Sequence, residues 1–159
     1  MPSTPTSPDV GEQAGARRHE NSALSGPELY ALHCGACHGA NGDGKGRAAP
    51  HLFPKPRDLR TGAFRLVSTL NGVPTREDCE AVIQRGMPGT SLRSFEKLSE
   101  DQRKRLAQEV LRLRREGIRD RFVSTLRNEG EEIDDREVRQ VVEHLTTPGE
   151  VARVPQIGP

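Results

Sequence analysis

From residue 25 to residue 147 the apolar positions recur at helical spacing, and no stretch shows the alternation of a half-buried strand. Ser25 with Pro27 reads as an N-cap followed by proline in the first turn, opening a helix through Glu28-Leu29-Tyr30-Ala31-Leu32-His33. Leu29 and Leu32 would share one face of it, leaving Tyr30 to pack on a neighbour. Thr75 and Asp78 form a capping-box start, and the helix that follows carries Cys79, Val82 and Ile83 on one face and stops at Gly86. Ser99 with Gln102 opens another, striped by Leu106, Val110 and Leu113, with Gly117 as its expected stop. Ile118, Phe122, Val123 and Leu126 define a further amphipathic segment. A last helix starts at Asp134 or Asp135, carries Val138, Val141, Val142 and Leu145, and ends at Thr147-Pro148-Gly149.

Between these segments lies a stretch without any period. Gly39, Gly42, Gly44 and Gly46 alternate with Asn41, Asp43 and Lys45, and Pro50, Pro54 and Pro56 then keep the chain extended. Residues 1–24 are rich in Pro, Ser, Thr, Gly and charge, and read as a flexible leader that includes His19. The pattern divides the chain into a leader (1–24), a helical domain (25–116), an accessory helical segment (117–147) and a tail or linker (148–159).

Composition adds one constraint. Apolar residues make up 32% of the 159 residues and aromatics 3%, with no tryptophan, which is thin for a core of this size. A large apolar cofactor would supply what the side chains lack. The net charge of +1 gives no reason to expect nucleic acid as a partner. No run approaches the roughly 18 apolar residues that a membrane span needs. The first residues show neither a basic nor an apolar signal region, so no export signal is visible.

The chemistry concentrates at Cys34-Gly35-Ala36-Cys37-His38. C-x-x-C-H is the signature of c-type haem attachment: thiols three apart fall on one face of a helical turn, and the adjacent imidazole can reach the iron. A bare C-x-x-C also serves in zinc sites and in redox dithiols. Zinc would want a second Cys/His pair, whereas Cys79 stands alone, on the apolar face of its helix, and reads as a buried small residue. A redox dithiol would be expected after a strand, and none precedes this one. Met87, the only methionine besides the initiator, sits in Gly86-Met87-Pro88-Gly89-Thr90, where neither helix nor strand can form. Such a loop presents its side chain, and a thioether is a recognised second ligand of haem iron. Arg57 and Arg60 are candidate partners for haem propionates, since guanidinium matches a carboxylate bidentately. His33 is expected to point outward and His144 to lie on the surface of the last helix.

On Cys34-Gly35-Ala36-Cys37-His38-Gly39, on Gly42-Asp43-Gly44 with Pro50 after it, and on Gly86-Met87-Pro88-Gly89-Thr90, the chain resembles the class I c-type cytochromes over about residues 26–115. The resemblance implies a small all-α domain around one covalent haem c, to which this chain adds further C-terminal helices. It implies thioether links at Cys34 and Cys37, His38 as proximal and Met87 as distal ligand, and a Pro50 carbonyl holding the His38 ring. It implies electron transfer rather than catalysis, with redox proteins as partners, either as a carrier or as the module of a larger respiratory or dehydrogenase complex. It places the protein in the periplasm or another extracytoplasmic compartment. Lys45, Arg47, Lys55 and Arg57 would form a basic rim for an acidic partner. The alternative is a peroxidase-like haem enzyme or small-ligand sensor in which Met87 is displaceable. The residues after Arg115 depart from the family pattern; packing on the haem domain, docking a partner and leading into another domain are all open to them.

Overall fold

The computed structural model describes residues 24–153; the leader with His19 lies outside them, as do the last six residues of the tail. Within the described residues the protein is helical: α1 (Gly26–His33), α2 (Gly35–His38), a 3-10 turn (Ala49–His51), α3 (Arg76–Arg85), α4 (Glu100–Glu129) and α5 (Asp135–Thr146). No strand forms among them, and an isolated bridge joins Thr69 and Val151.

The helix starts follow the capping residues. The main-chain N–H and the hydroxyl of Ser25 donate to the Glu28 carboxylate at 2.8 and 2.6 Å. At α3, Asp78 N–H donates to Thr75 Oγ1 at 3.0 Å while Thr75 N–H donates back to the Asp78 carboxylate at 2.9 Å. Ser99 and Gln102 make the same reciprocal pair at α4. Each such pair satisfies N–H groups that the first turn leaves without helical partners.

The main core forms where α1 and α3 pack on the first half of α4. Leu29 and Leu106 are fully buried there, with Tyr30, Leu59, Cys79, Ala107, Val110 and Leu113 around them. α1 therefore packs through Leu29 and Tyr30, and Leu32, expected on the same face as Leu29, is 58% exposed. Cys79 is buried among apolar side chains, and burial pushes its thiol up to about 12. On α4, Glu109 is 5% exposed, and Arg112 donates to both of its oxygens at 2.7 Å.

Gly117 is not a stop. α4 runs through it for another twelve residues, and the stop is Gly130, left-handed at φ 75°. A mid-helix glycine costs about 1 kcal/mol relative to alanine, and the reason for it here is a close approach. A Cβ at position 117 would lie 2.2 Å from Arg60 Cβ and 2.7 Å from Arg60 Cα. The two amphipathic segments expected on either side of Gly117 are thus one helix, and the 116/117 boundary falls inside it.

Beyond Gly117 a second, smaller cluster forms. Val123, Val138 and Val142 bury against one another, with Ile118, Phe122, Leu126 and Ile133 packed around them, so that α5 folds back on the end of α4. The chain after α5 then returns to the loop before α3. Leu70 N–H donates to Glu150 O at 2.9 Å, Ala152 N–H to Ser68 O at 2.8 Å, and Asn71 bonds both Thr147 O and Gly149 N–H. Residues 148–152, expected as part of the tail or linker, are docked together with Thr147 on residues 68–71.

Candidate haem site

Cys34 ends α1 and is the N-cap of α2, whose single turn carries Cys37 and His38. Cys37 and His38 N–H both donate to Cys34 O, at 3.1 and 2.9 Å. The thiols are not joined to each other, and both are half-buried. Burial, with Cys37 close by, pushes the Cys34 thiol up to about 12.

A helix this short leaves its last carbonyls without helical partners, and the glycine loop supplies them in sequence. Gly44 N–H donates to His38 O at 2.8 Å, Gly46 N–H to Cys37 O at 3.1 Å and Ala48 N–H to Ala36 O at 2.9 Å. The loop lies so close that a Cβ on Gly46 would come within 2.3 Å of Ala36 O. Tyr30 locks the entry to the loop, its buried hydroxyl donating to Gly39 O at 2.9 Å. The sequence marked the loop as turn-rich; that it wraps the C-x-x-C-H turn is visible only in the fold.

The His38 ring is fixed from outside its own helix. Its Nδ1 lies 2.9 Å from the main-chain carbonyl of Arg57. With the proton on Nδ1 donated there, the lone pair on Nε2 is left for a metal. Burial lowers the ring's pKa, the Arg57 carbonyl acting against it, so the ring favours the neutral form that coordinates. Pro50 does not take this part. Its carbonyl, in the 3-10 turn of residues 49–51, accepts from Lys55 Nζ at 2.8 Å.

The side chains of Arg57 and Arg60 have protein partners: Arg57 donates to Ala63 O, and Arg60 pairs with Asp120 on α4. Of the basic rim, Lys45 and Arg47 are exposed, while Lys55 also donates to Ala49 O at 3.1 Å. Arg114, which the sequence did not single out, is half-buried, donates to Gly62 O at 3.1 Å and lies over the Phe64 ring at 5.2 Å. His144 is exposed, and His33 packs edge-on against Phe95 with ring centroids 5.8 Å apart.

Met87 follows α3 in a loop closed at its neck. Met87 N–H donates to Leu92 O at 2.9 Å, and Thr90 returns two bonds to Met87 O, from its N–H at 3.1 Å and its hydroxyl at 2.8 Å. Phe95 N–H then ties the loop to Ile83 O at 3.1 Å. The backbone on both sides of Met87 is fixed, and the side chain is half-buried.

Two unlinked thiols on one turn and an imidazole tied at Nδ1 to a main-chain carbonyl fit covalent haem c. Comparison with known proteins agrees. The cytochrome c family profile matches residues 23–114, and the chain belongs to that family. It is thus a small helical haem-binding protein that transfers electrons, carrying haem c through Cys34 and Cys37. Among solved structures it is similar to a chain of the Kuenenia stuttgartiensis reducing HAO-like protein complex. The two are 31% identical, with a TM-score of 0.53 over 55% of this chain and 40% of that one. No curated protein matches it.

Proposed function

We propose that this protein is a one-electron carrier whose haem is held by Cys34, Cys37, His38 and Met87, and that it works as the electron-transfer module of a larger redox assembly outside the cytoplasm. The observation that carries the reading is the His38 ring: its Nδ1 is tied to Arg57 O at 2.9 Å, leaving Nε2 as the coordinating atom. The bound haem supplies the one-electron couple. His38 serves as proximal ligand, and its bond to the Arg57 carbonyl raises its basicity and sets its orientation. Met87, presented by a loop bonded on both sides of it, would hold the iron together with His38. The protein is then not itself an enzyme. The likeness to a chain of a multi-protein redox complex supports the modular setting. No described helix is long and apolar enough to cross a membrane.

The test is expression with haem-maturation machinery, followed by mass measurement and a redox titration. The expected result is one covalent haem, lost in Cys34→Ser Cys37→Ser, with a single reversible one-electron wave. A chain that leaves maturation without covalent haem would remove the reading.

A further inference from the structure

The Arg57 carbonyl belongs to residues 52–75, a segment that builds no secondary structure of its own among the described residues. A connection of that length is ordered only where other parts of the molecule hold it. The haem domain holds it through Leu59 N–H on Gly42 O at 2.7 Å and Arg114 on Gly62 O at 3.1 Å. The C-terminal extension holds it at two further points. At one, Gly117 lets α4 lie directly on the Arg60 backbone, with the Arg60–Asp120 ion pair beside the contact. At the other, residues 147–152 pair with residues 68–71 through both main-chain bonds and Asn71.

The first point lies three residues from Arg57, and the intervening turn is stiff. The Asp58 carboxylate accepts from Arg60 N–H at 2.7 Å and from Thr61 N–H at 3.1 Å, and Gly62 N–H closes on Asp58 O at 3.0 Å. This bonded turn, with Leu59 inside it, is the link between Arg60 and the Arg57 carbonyl. The ion pair contributes little of this, because the Asp120 side chain is 58% exposed. The backbone contact at Gly117 is the stronger lever.

We infer that residues 116–152 are a brace for the proximal ligand: by clamping the loop at Arg60 and at Ser68–Asn71, they hold the Arg57 carbonyl on His38 Nδ1. The inference rests on the reading of His38 as proximal ligand. Gly117, Arg60 and Asn71 are then positioning residues that tune the haem iron without touching it.

The experiment uses the full-length haem-loaded protein and two readouts: solvent exchange of the His38 Nδ1–H by NMR in the reduced state, and the reduction potential. Gly117→Ala must push Arg60 away. The expected result is Nδ1–H exchange several-fold faster than wild type and a potential shifted upward, because a less basic imidazole favours the ferric state less. Ser99→Ala, which removes the N-cap of α4 eighteen residues before Gly117, is expected to leave both readouts at wild-type values. If Gly117→Ala does not accumulate, Asn71→Ala Asp120→Ala, which removes the Asn71 bonds to Thr147, Gly149 and Val73 and the ion pair to Arg60, is expected to move both in the same direction by less. Unchanged exchange and potential in a haem-loaded brace variant would overturn the inference. A wild-type protein without haem would overturn the functional reading instead.

Discussion

Gly46→Ala tests whether the glycine loop acts as the cap of the C-x-x-C-H turn. Gly46 is not among the glycines with positive φ, so alanine suits its backbone and the cost is steric. The new Cβ would stand 2.3 Å from Ala36 O, 2.6 Å from Ala36 C and 2.7 Å from Cys37 C, all main-chain atoms that cannot swing aside. Relief requires the loop to back away, stretching Gly46 N–H to Cys37 O and Ala48 N–H to Ala36 O, now 3.1 and 2.9 Å. At about 1 kcal/mol net per bond and about 1–3 kcal/mol for overpacking, the loss comes to about 3–5 kcal/mol. That is a large share of the roughly 5–15 kcal/mol of a typical domain. Gly72→Ala is the comparator. Its φ of 70° is left-handed, but nothing lies within 4 Å of its Cβ position, so only the backbone penalty of about 1–2 kcal/mol applies. Urea unfolding of the haem-loaded proteins, followed by far-ultraviolet circular dichroism, measures both. A loss at Gly46→Ala no larger than at Gly72→Ala would refute the capping argument.

Tyr30→Phe removes the donor to Gly39 O inside the core and is expected to cost about 1–2 kcal/mol in the same unfolding assay. Arg112→Met leaves the buried Glu109 carboxylate without its bidentate partner, and the expected loss is about 3 kcal/mol at neutral pH. Cys79 carries a pH dependence. Its folded thiol is pushed up to about 12 by burial, with Asp78 adding to the effect, while an unfolded thiol ionises from about 8.5. The stability it supports is complete below that value and falls as pH rises towards 12. Cys79→Ala removes this slope, so the difference in unfolding free energy between wild type and variant should shrink from pH 8 to pH 11; a constant difference would contradict the burial argument.

Much of the helical frame was legible because capping residues and apolar stripes are local signals. Ser25, Thr75 and Ser99 open helices as their side chains imply, and Cys34, Cys37 and His38 share a turn because spacing alone puts them there. What depended on distant partners was not legible. Gly117 has the sequence signature of a stop, yet its helix continues because Arg60, far away in the chain, needs the space. The acceptor for His38 is a main-chain carbonyl, which leaves no mark on residue type, so Pro50 was expected where Arg57 acts. Arg57 and Arg60 drew notice for their charge, whereas one contributes its carbonyl to His38 and the other its backbone to Gly117. Asn71 carries no local mark of its part, which depends on the chain after α5 bringing Thr147 and Gly149 back to it.

The central claim is that His38 and Met87 hold the iron of an electron carrier. The most direct test is the ultraviolet–visible spectrum of the haem-loaded protein, oxidised and dithionite-reduced, for wild type and Met87→Ala. The expected result is a low-spin wild type with sharp reduced α and β bands and, when oxidised, the weak far-red band of a methionine–iron bond, which Met87→Ala abolishes. A high-spin wild-type spectrum that Met87→Ala leaves unchanged would contradict it, and would make the open iron of a haem enzyme or ligand sensor the better description.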